Sequence, residues 1–179
     1  VIERWVQGGA VFPFGGTAGP HNPRSTTSVI AALAIKDKEI GSMTDKLKLF
    51  SQEWCDAALD AVNANDAVYE GFKDPDTFTN KLEFGVIGRD DVACHLEFKE
   101  GKVVSFTPRT FDESELWLII NGSLETWQAA AAGKEEGGKL LMKGQIKFAK
   151  GPMSAAIENA GALNNFLLTW GQVPTDWDV

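Results

Sequence analysis

The stretch Ile119 to Ala156, IINGSLETWQAAAAGKEEGGKLLMKGQIKFAKGPMSAA, changes its hydrophobic period repeatedly, and those changes decide the fold. Leu116 to Asn121, which leads into it, is apolar on both faces and reads as a central strand. Ser123 then caps a helix, with Glu125 in the first turn and Gly133 at the end. Leu124, Trp127, Gln128 and Ala131 share one side of it. Gly137-Gly138 breaks the chain, and Lys139 to Met142 adds one more helical turn. Gln145 to Ala149 returns to period two, with Ile146 and Phe148 on one side. Pro152 suits the first turn of a last helix, whose inner face carries Met153, Ala156, Ile157 and Ala160.

The flanking segments extend the same pattern. Ser51 caps a helix in which Trp54, Ala57, Ala58, Ala61 and Val62 form one apolar face. Asp66 to Phe72 adds a short second helix, and Asp74-Pro75-Asp76 is a turn. Leu82, Phe84 and Val86 alternate with Lys81, Glu83 and Gly85, so the first set faces a core and the second faces away. Gly88 to Asp91 reads as a turn. Val92, Cys94, Leu96 and Phe98 then alternate with Ala93, His95, Glu97 and Lys99. A tight turn at Glu100 to Lys102 leads into a third strand, Val103 to Thr107, stopped by Pro108. Three strands joined by short turns make an antiparallel meander. Beyond Gly161, Leu163, Phe166, Leu167 and Trp170 continue the apolar character. The expected class is α+β, one sheet with helices covering one face.

The first 42 residues read differently. They carry six of the 18 glycines, three of the seven prolines and a charge of +1, whereas residues 43–179 carry −9. GGAVFPFGGTAGPHNPRSTTS has no helical or strand period. Two readings fit: a vector-derived leader ending at Gly41-Ser42 before a native Met43, or a natural arm whose Trp5, Phe12, Phe14 and Val29 to Ile35 dock on the domain or a neighbour. Residues 1–42 are therefore set apart from the domain expected over residues 43–179.

Composition excludes several functions. The chain has 179 residues, 44% hydrophobic and 23% charged, with a net charge of −8. That acidity argues against nucleic acid as the partner. The longest apolar run, Val29 to Ile35, falls far short of the roughly 20 residues of a spanning helix, so no stable membrane insertion is expected. No secretory signal is read, and Cys55 and Cys94 are expected as free thiols of a cytoplasmic protein. The two histidines, His21 and His95, and the two cysteines form no zinc pattern, and no phosphate-binding loop or nucleophile elbow is present. Cys94 and His95 are adjacent on a strand, so they face opposite ways and make no thiolate–imidazole pair. Asp90-Asp91 and Asp112-Glu113 read as solvated turns rather than a cation site. No enzyme, metal or cofactor is expected. The distinctive feature is an aromatic and methionine excess in the last third, which suits either a core with a docked final helix or a lipophilic cavity.

These motifs resemble those of the sterol carrier protein family, in its type-two lipid-binding fold. The resemblance rests on the Ser123, Thr126-Trp127, Ala129 and Gly133 helix, on the Met142, Gly144, Ile146-Lys147 strand, and on Gly151 and Met153. Glu53, Trp54, Ala57, Val62, Asn63 and Ala64 are similar to the opening helix of small microbial members. It covers nearly all of residues 47–170 and nothing in residues 1–42. It implies a five-stranded, mostly antiparallel sheet covered on one face by helices, enclosing an apolar tunnel for fatty acids, fatty acyl-CoA, sterols or similar lipids. The terminal Asp176 to Val179 does not match the family's peroxisomal tripeptide, so a cytoplasmic location is expected. The lysine-poor loop Lys134 to Gly138 weakens any docking of a CoA phosphate.

The expected lining is Leu96, Phe98, Trp127, Leu141, Met142, Met153, Ile157, Phe166, Leu167 and Trp170, with no catalytic residue. The function expected is non-catalytic binding, with transfer of a lipid between sites. The alternative is an accessory or scaffold subunit of a larger enzyme, its apolar tail Leu163 to Trp170 forming the interface. A protein partner under either reading is an enzyme or a second copy of the chain. A third reading makes His95 and a nearby carboxylate catalytic.

Overall fold

The computed structural model describes residues 45–179, so the leader or arm expected over residues 1–42, with His21, lies outside the described residues. A short strand β1 (Leu47–Lys48) precedes α1 (Gln52–Asn63) and α2 (Asp66–Glu70). The Ser51 hydroxyl accepts the Trp54 amide at 3.2 Å, the capping bond its position predicts. Then come β2 (Asn80–Val86), β3 (Arg89–Lys99), β4 (Lys102–Pro108) and β5 (Leu118–Gly122). The second half adds α3 (Leu124–Ala131), α4 (Gly137–Met142), β6 (Ile146–Lys150), α5 (Met153–Glu158), α6 (Ala160–Trp170) and β7 (Thr175–Asp176).

The main sheet has five strands in the order β4-β3-β2-β5-β6. Its pairings are antiparallel except β2 with β5, which is parallel, with Phe84 beside Ile120. Thus β2 is central and β5 lies beside it, inside the sheet. A separate parallel pair, β1 with β7, ties Leu47 to Thr175. No helix among the described residues is long and apolar enough to cross a membrane.

Three local expectations change. The turn falls at Ile87-Gly88 rather than Gly88 to Asp91, and β3 starts at Arg89. Gly88 takes φ +82°, which closes the hairpin early, and the solvated Arg89–Asp91 pair at 2.8 Å lets these charges sit in a strand. Gly137-Gly138 opens α4 instead of breaking the chain. Glu83, expected to face away from the core, is buried.

Glu83 is buried because a loop covers the second sheet face. His95 is its direct cross-strand neighbour. The amides of Thr110 and Phe111 both donate to His95 Nδ1, at 2.8 and 2.7 Å. The ring hydrogen is therefore on Nε2, which donates to Glu83 Oε2 at 2.7 Å. Arg109 donates to both Glu83 oxygens and to the Asp90 carbonyl. The Phe111 ring stacks on the imidazole at 5.3 Å. This network fastens residues 109–111 onto the sheet.

On the other face, Phe50, Trp54, Phe84, Phe106, Trp127, Phe166 and Trp170 form one aromatic core between the sheet and helices α1, α3 and α6. Trp54 Nε1 donates to Thr175 Oγ1 at 2.8 Å, joining this core to the C-terminal strand.

Thr175→Val keeps the shape but strands that buried donor. Chemical denaturation is expected to show a loss of about 1–3 kcal/mol. Burial pushes the Glu83 carboxyl up, but the hydrogen bonds from His95 and Arg109 and the Arg109 charge outweigh it and hold it below its ordinary 4.5. A depressed carboxylate contributes stability that is present above its unfolded value and is lost as pH falls through the folded one. Glu83→Gln should therefore flatten the stability–pH curve below pH 4.5, the ordinary value. An unchanged acid limb would contradict this role for Glu83.

Candidate functional site

A cavity of about 440 Å³ opens between the β5–β6 side of the sheet and the second-half helices. Its sheet wall is Phe84, Ile120, Ile146 and Phe148. Ile146 and Phe148 alternate on one face of β6 as their period-two spacing requires. The helical walls are Trp127 of α3, Leu141 and Met142 of α4, Ala156 and Ile157 of α5, and Ala160, Leu163, Asn164 and Leu167 of α6. Glu136, Lys139, Met142 and Ile157 on the wall are solvent-exposed, while Trp127 and Phe84 are buried at its base. The volume lies within the range of small-molecule sites.

Trp127 is held at the base by three features. Ser123 caps its helix, accepting the Thr126 amide at 3.2 Å. Its indole nitrogen donates to the Gly85 carbonyl at 3.1 Å. Its ring lies over Gly122, where a Cβ would come within 2.9 Å of the ring carbons, so only glycine admits it.

Of the ten lining residues expected, Trp127, Leu141, Met142, Ile157 and Leu167 are on the cavity wall. Leu96, Phe98, Phe166 and Trp170 are not; they are closed in the core. The reason for Phe166 and Trp170 is that α6 has two apolar stripes. Ala162, Phe166, Thr169 and Trp170 are buried away from the cavity, whereas Ala160, Leu163, Asn164 and the likewise buried Leu167, at i, i+3, i+4 and i+7, line it. Leu96 and Phe98 lie on β3, on the β4 side of the central strand, and Phe98 packs against Phe72 and Phe78 instead. Met153 is 50% exposed, because Ala156 is the residue α5 buries. The wall residues missed in the sequence are mainly Phe84, Ile120, Ile146, Phe148, Ala160, Leu163 and Asn164. The i, i+3, i+4, i+7 run on α6 groups the last two with Leu167 on one stripe but does not say that this stripe faces the cavity.

The other candidate chemistry is closed off. Both ring nitrogens of His95 are engaged and the residue is fully buried, so no imidazole nitrogen faces solvent. Cys94 and Cys55 are free and buried. Burial, with Asp56 adding to it, pushes the Cys55 thiol up to about 12, and burial raises Cys94 well above its usual value. Neither is a ready thiolate. Among the described residues no group of three or more His, Cys, Asp or Glu is placed to hold a metal.

No protein-family model matches the sequence, and no curated protein matches it. Solved structures do match. A crystal structure of sterol carrier protein 2 aligns with TM-score 0.58 and 22% identity, over 70% of this chain and 98% of that one. The solution structure of a conserved hypothetical protein from Thermus thermophilus aligns with TM-score 0.59 and 22% identity, over 72% and 91%. The sheet order, the helical cover and these alignments agree: residues 45–179 have the fold of sterol carrier protein 2.

Proposed function

We propose that the cavity holds a lipid or similar hydrophobic molecule, and that the protein binds and carries it without acting on it chemically. The observation that supports this reading is the wall itself: aliphatic and aromatic side chains from β2, β5, β6 and four helices converge on one space. Burying a chain there gains about 0.8 kcal/mol per methylene, so a long alkyl chain binds tightly without a charged contact. The shared fold with a protein named as a sterol carrier supports the same conclusion. The lipid-binding unit in this reading is residues 43–179.

A second reading, an accessory subunit of a larger enzyme, loses the tail Leu163 to Trp170 as its interface, since Phe166, Leu167 and Trp170 are buried, and draws instead on the exposed Met142 and Ile157 of the cavity wall and on Met153. Co-purifying lipid separates the two. Native mass spectrometry of freshly purified protein should reveal a bound lipid, and adding fatty acid, acyl-CoA or sterol should raise the melting temperature. A protein with neither property is no carrier. Ala160→Trp, at an exposed wall position, should fill the space and weaken lipid binding by at least about tenfold, or about 1.4 kcal/mol. Its own melting temperature without lipid should change little.

A further inference from the structure

We propose that residues 109–112 form a strap across the second sheet face, and that a proton on His95 releases it while the rest of the fold stays in place. The strap adds no side chain to the apolar core. Arg109, Thr110 and Asp112 are exposed and Phe111 is half-buried. What holds the strap to the sheet is polar. The amides of Thr110 and Phe111 donate to His95 Nδ1 at 2.8 and 2.7 Å, and Arg109 donates to both Glu83 oxygens. Lys81 Nζ stands 4.2 Å from the centre of the Phe111 ring. A segment tied in this way opens locally at little cost to a core it does not join.

The hydrogen bonds on His95 make that opening depend on a proton. A ring nitrogen that accepts two N–H groups holds no hydrogen of its own. The other nitrogen, Nε2, already donates to Glu83 Oε2 at 2.7 Å. A second proton must therefore go to Nδ1, where it would meet two donors head on. It enters only as Thr110 and Phe111 turn away. Two states exclude each other: strapped with a neutral ring, or released with an imidazolium. Falling pH favours the state that binds more protons, which is the released one.

The charged groups around the ring preserve that direction. Glu83 on β2 touches Nε2 and draws the proton in, while Arg109 offsets part of its charge. Beyond the strap, Lys81 and Glu115 neutralise each other at 2.7 Å, and Asp90 and Asp112 are solvated. The cross-strand neighbour on β4 is the uncharged Thr107. Glu83 itself is held below its ordinary 4.5, so it is still ionised and paired with the imidazolium when the strap leaves.

NMR of the full chain tests the proposal. From about pH 7.5 to about pH 5, across the histidine range, the His95 ring should pass from a hydrogen on Nε2 alone to hydrogens on both nitrogens. Over the same interval the exchange protection of the Thr110 and Phe111 amides, corrected for the intrinsic effect of pH, should fall at least about tenfold. The amides of Phe84 and Ile120, in the central strands, should keep theirs. His95→Gln keeps an acceptor for the strap and a donor for Glu83 but does not titrate, so its strap protection should not follow pH. If that variant does not fold, the ring and amide signals of the unaltered chain decide alone. Strap amides that stay protected would overturn the proposal, whether or not the ring gains its second hydrogen. So would strap protection lost while the ring keeps one hydrogen, or lost together with that of Phe84 and Ile120, which is global unfolding.

Discussion

The packing of Trp170 is the constraint on which the rest of the domain depends. Its ring is fully buried and meets five others, Phe50, Trp54, Phe84, Trp127 and Phe166, at centroid separations of 5.4–5.6 Å. Edge-to-face contacts of this kind contribute about 0.5–1.5 kcal/mol each beyond area burial. They join both ends of the described domain to the central strand. They also hold Phe50 in the left-handed region at φ +61°, a conformation that costs a bulky residue about 1–3 kcal/mol and needs surroundings that over-determine it. Among the described residues the indole nitrogen of Trp170 has no hydrogen-bond partner, which is the cost of putting a tryptophan at the centre of so apolar a cluster.

That hub explains why a cavity survives next to a close-packed core. One stripe of α6 is fixed by the aromatic cluster, so the neighbouring stripe can leave space beside β6 without freeing the helix. Trp127 belongs to both structures: its ring lies 5.6 Å from Trp170 and also forms the cavity base. The sheet's other face is shut by a different means. There buried Glu83 and His95 pair with each other, with two loop amides and with the half-exposed Arg109, a polar network that rigidifies because every member has partners. Between an aromatic hub on one face and a polar lock on the other, a large apolar space remains beside β6.

Local chemistry was legible in the sequence, and long-range chemistry was not. Ser51 and Ser123 announced their helices because a cap acts over three residues. The meander followed from period-two alternation and short turns. The burial of Glu83 did not follow, because its partners His95 and Arg109 lie 12 and 26 residues away and alternation alone assigns it to solvent. The parallel pairing of β2 with β5 depends equally on distant segments. The lining was half legible for a related reason. A helix apolar on nearly all sides gives no sign of which stripe faces the core, so Phe166 and Trp170 were as plausible at the cavity as Leu163 and Leu167. The motif resemblance carried the fold through these ambiguities because it encodes the order of elements rather than the face of each.

The elements that close the cavity are the ones least able to stand alone. Helices α4 and α5 have six residues each, well below the length at which a helix is stable without tertiary support, and β6 is an edge strand. Met142 at 83% exposure and Ile157 at 58% gain little burial from the protein itself. A ligand seated against them adds apolar contact that the chain does not supply, so occupancy and local order are linked. Mass action then stabilises the folded form by RT ln(1 + [L]/Kd), and that increment falls first on α4, α5 and β6 rather than on the Trp170 core. In the carrier reading proposed above, stability and binding fall on different faces of α6, so that the site can adapt to a ligand while the scaffold stays fixed.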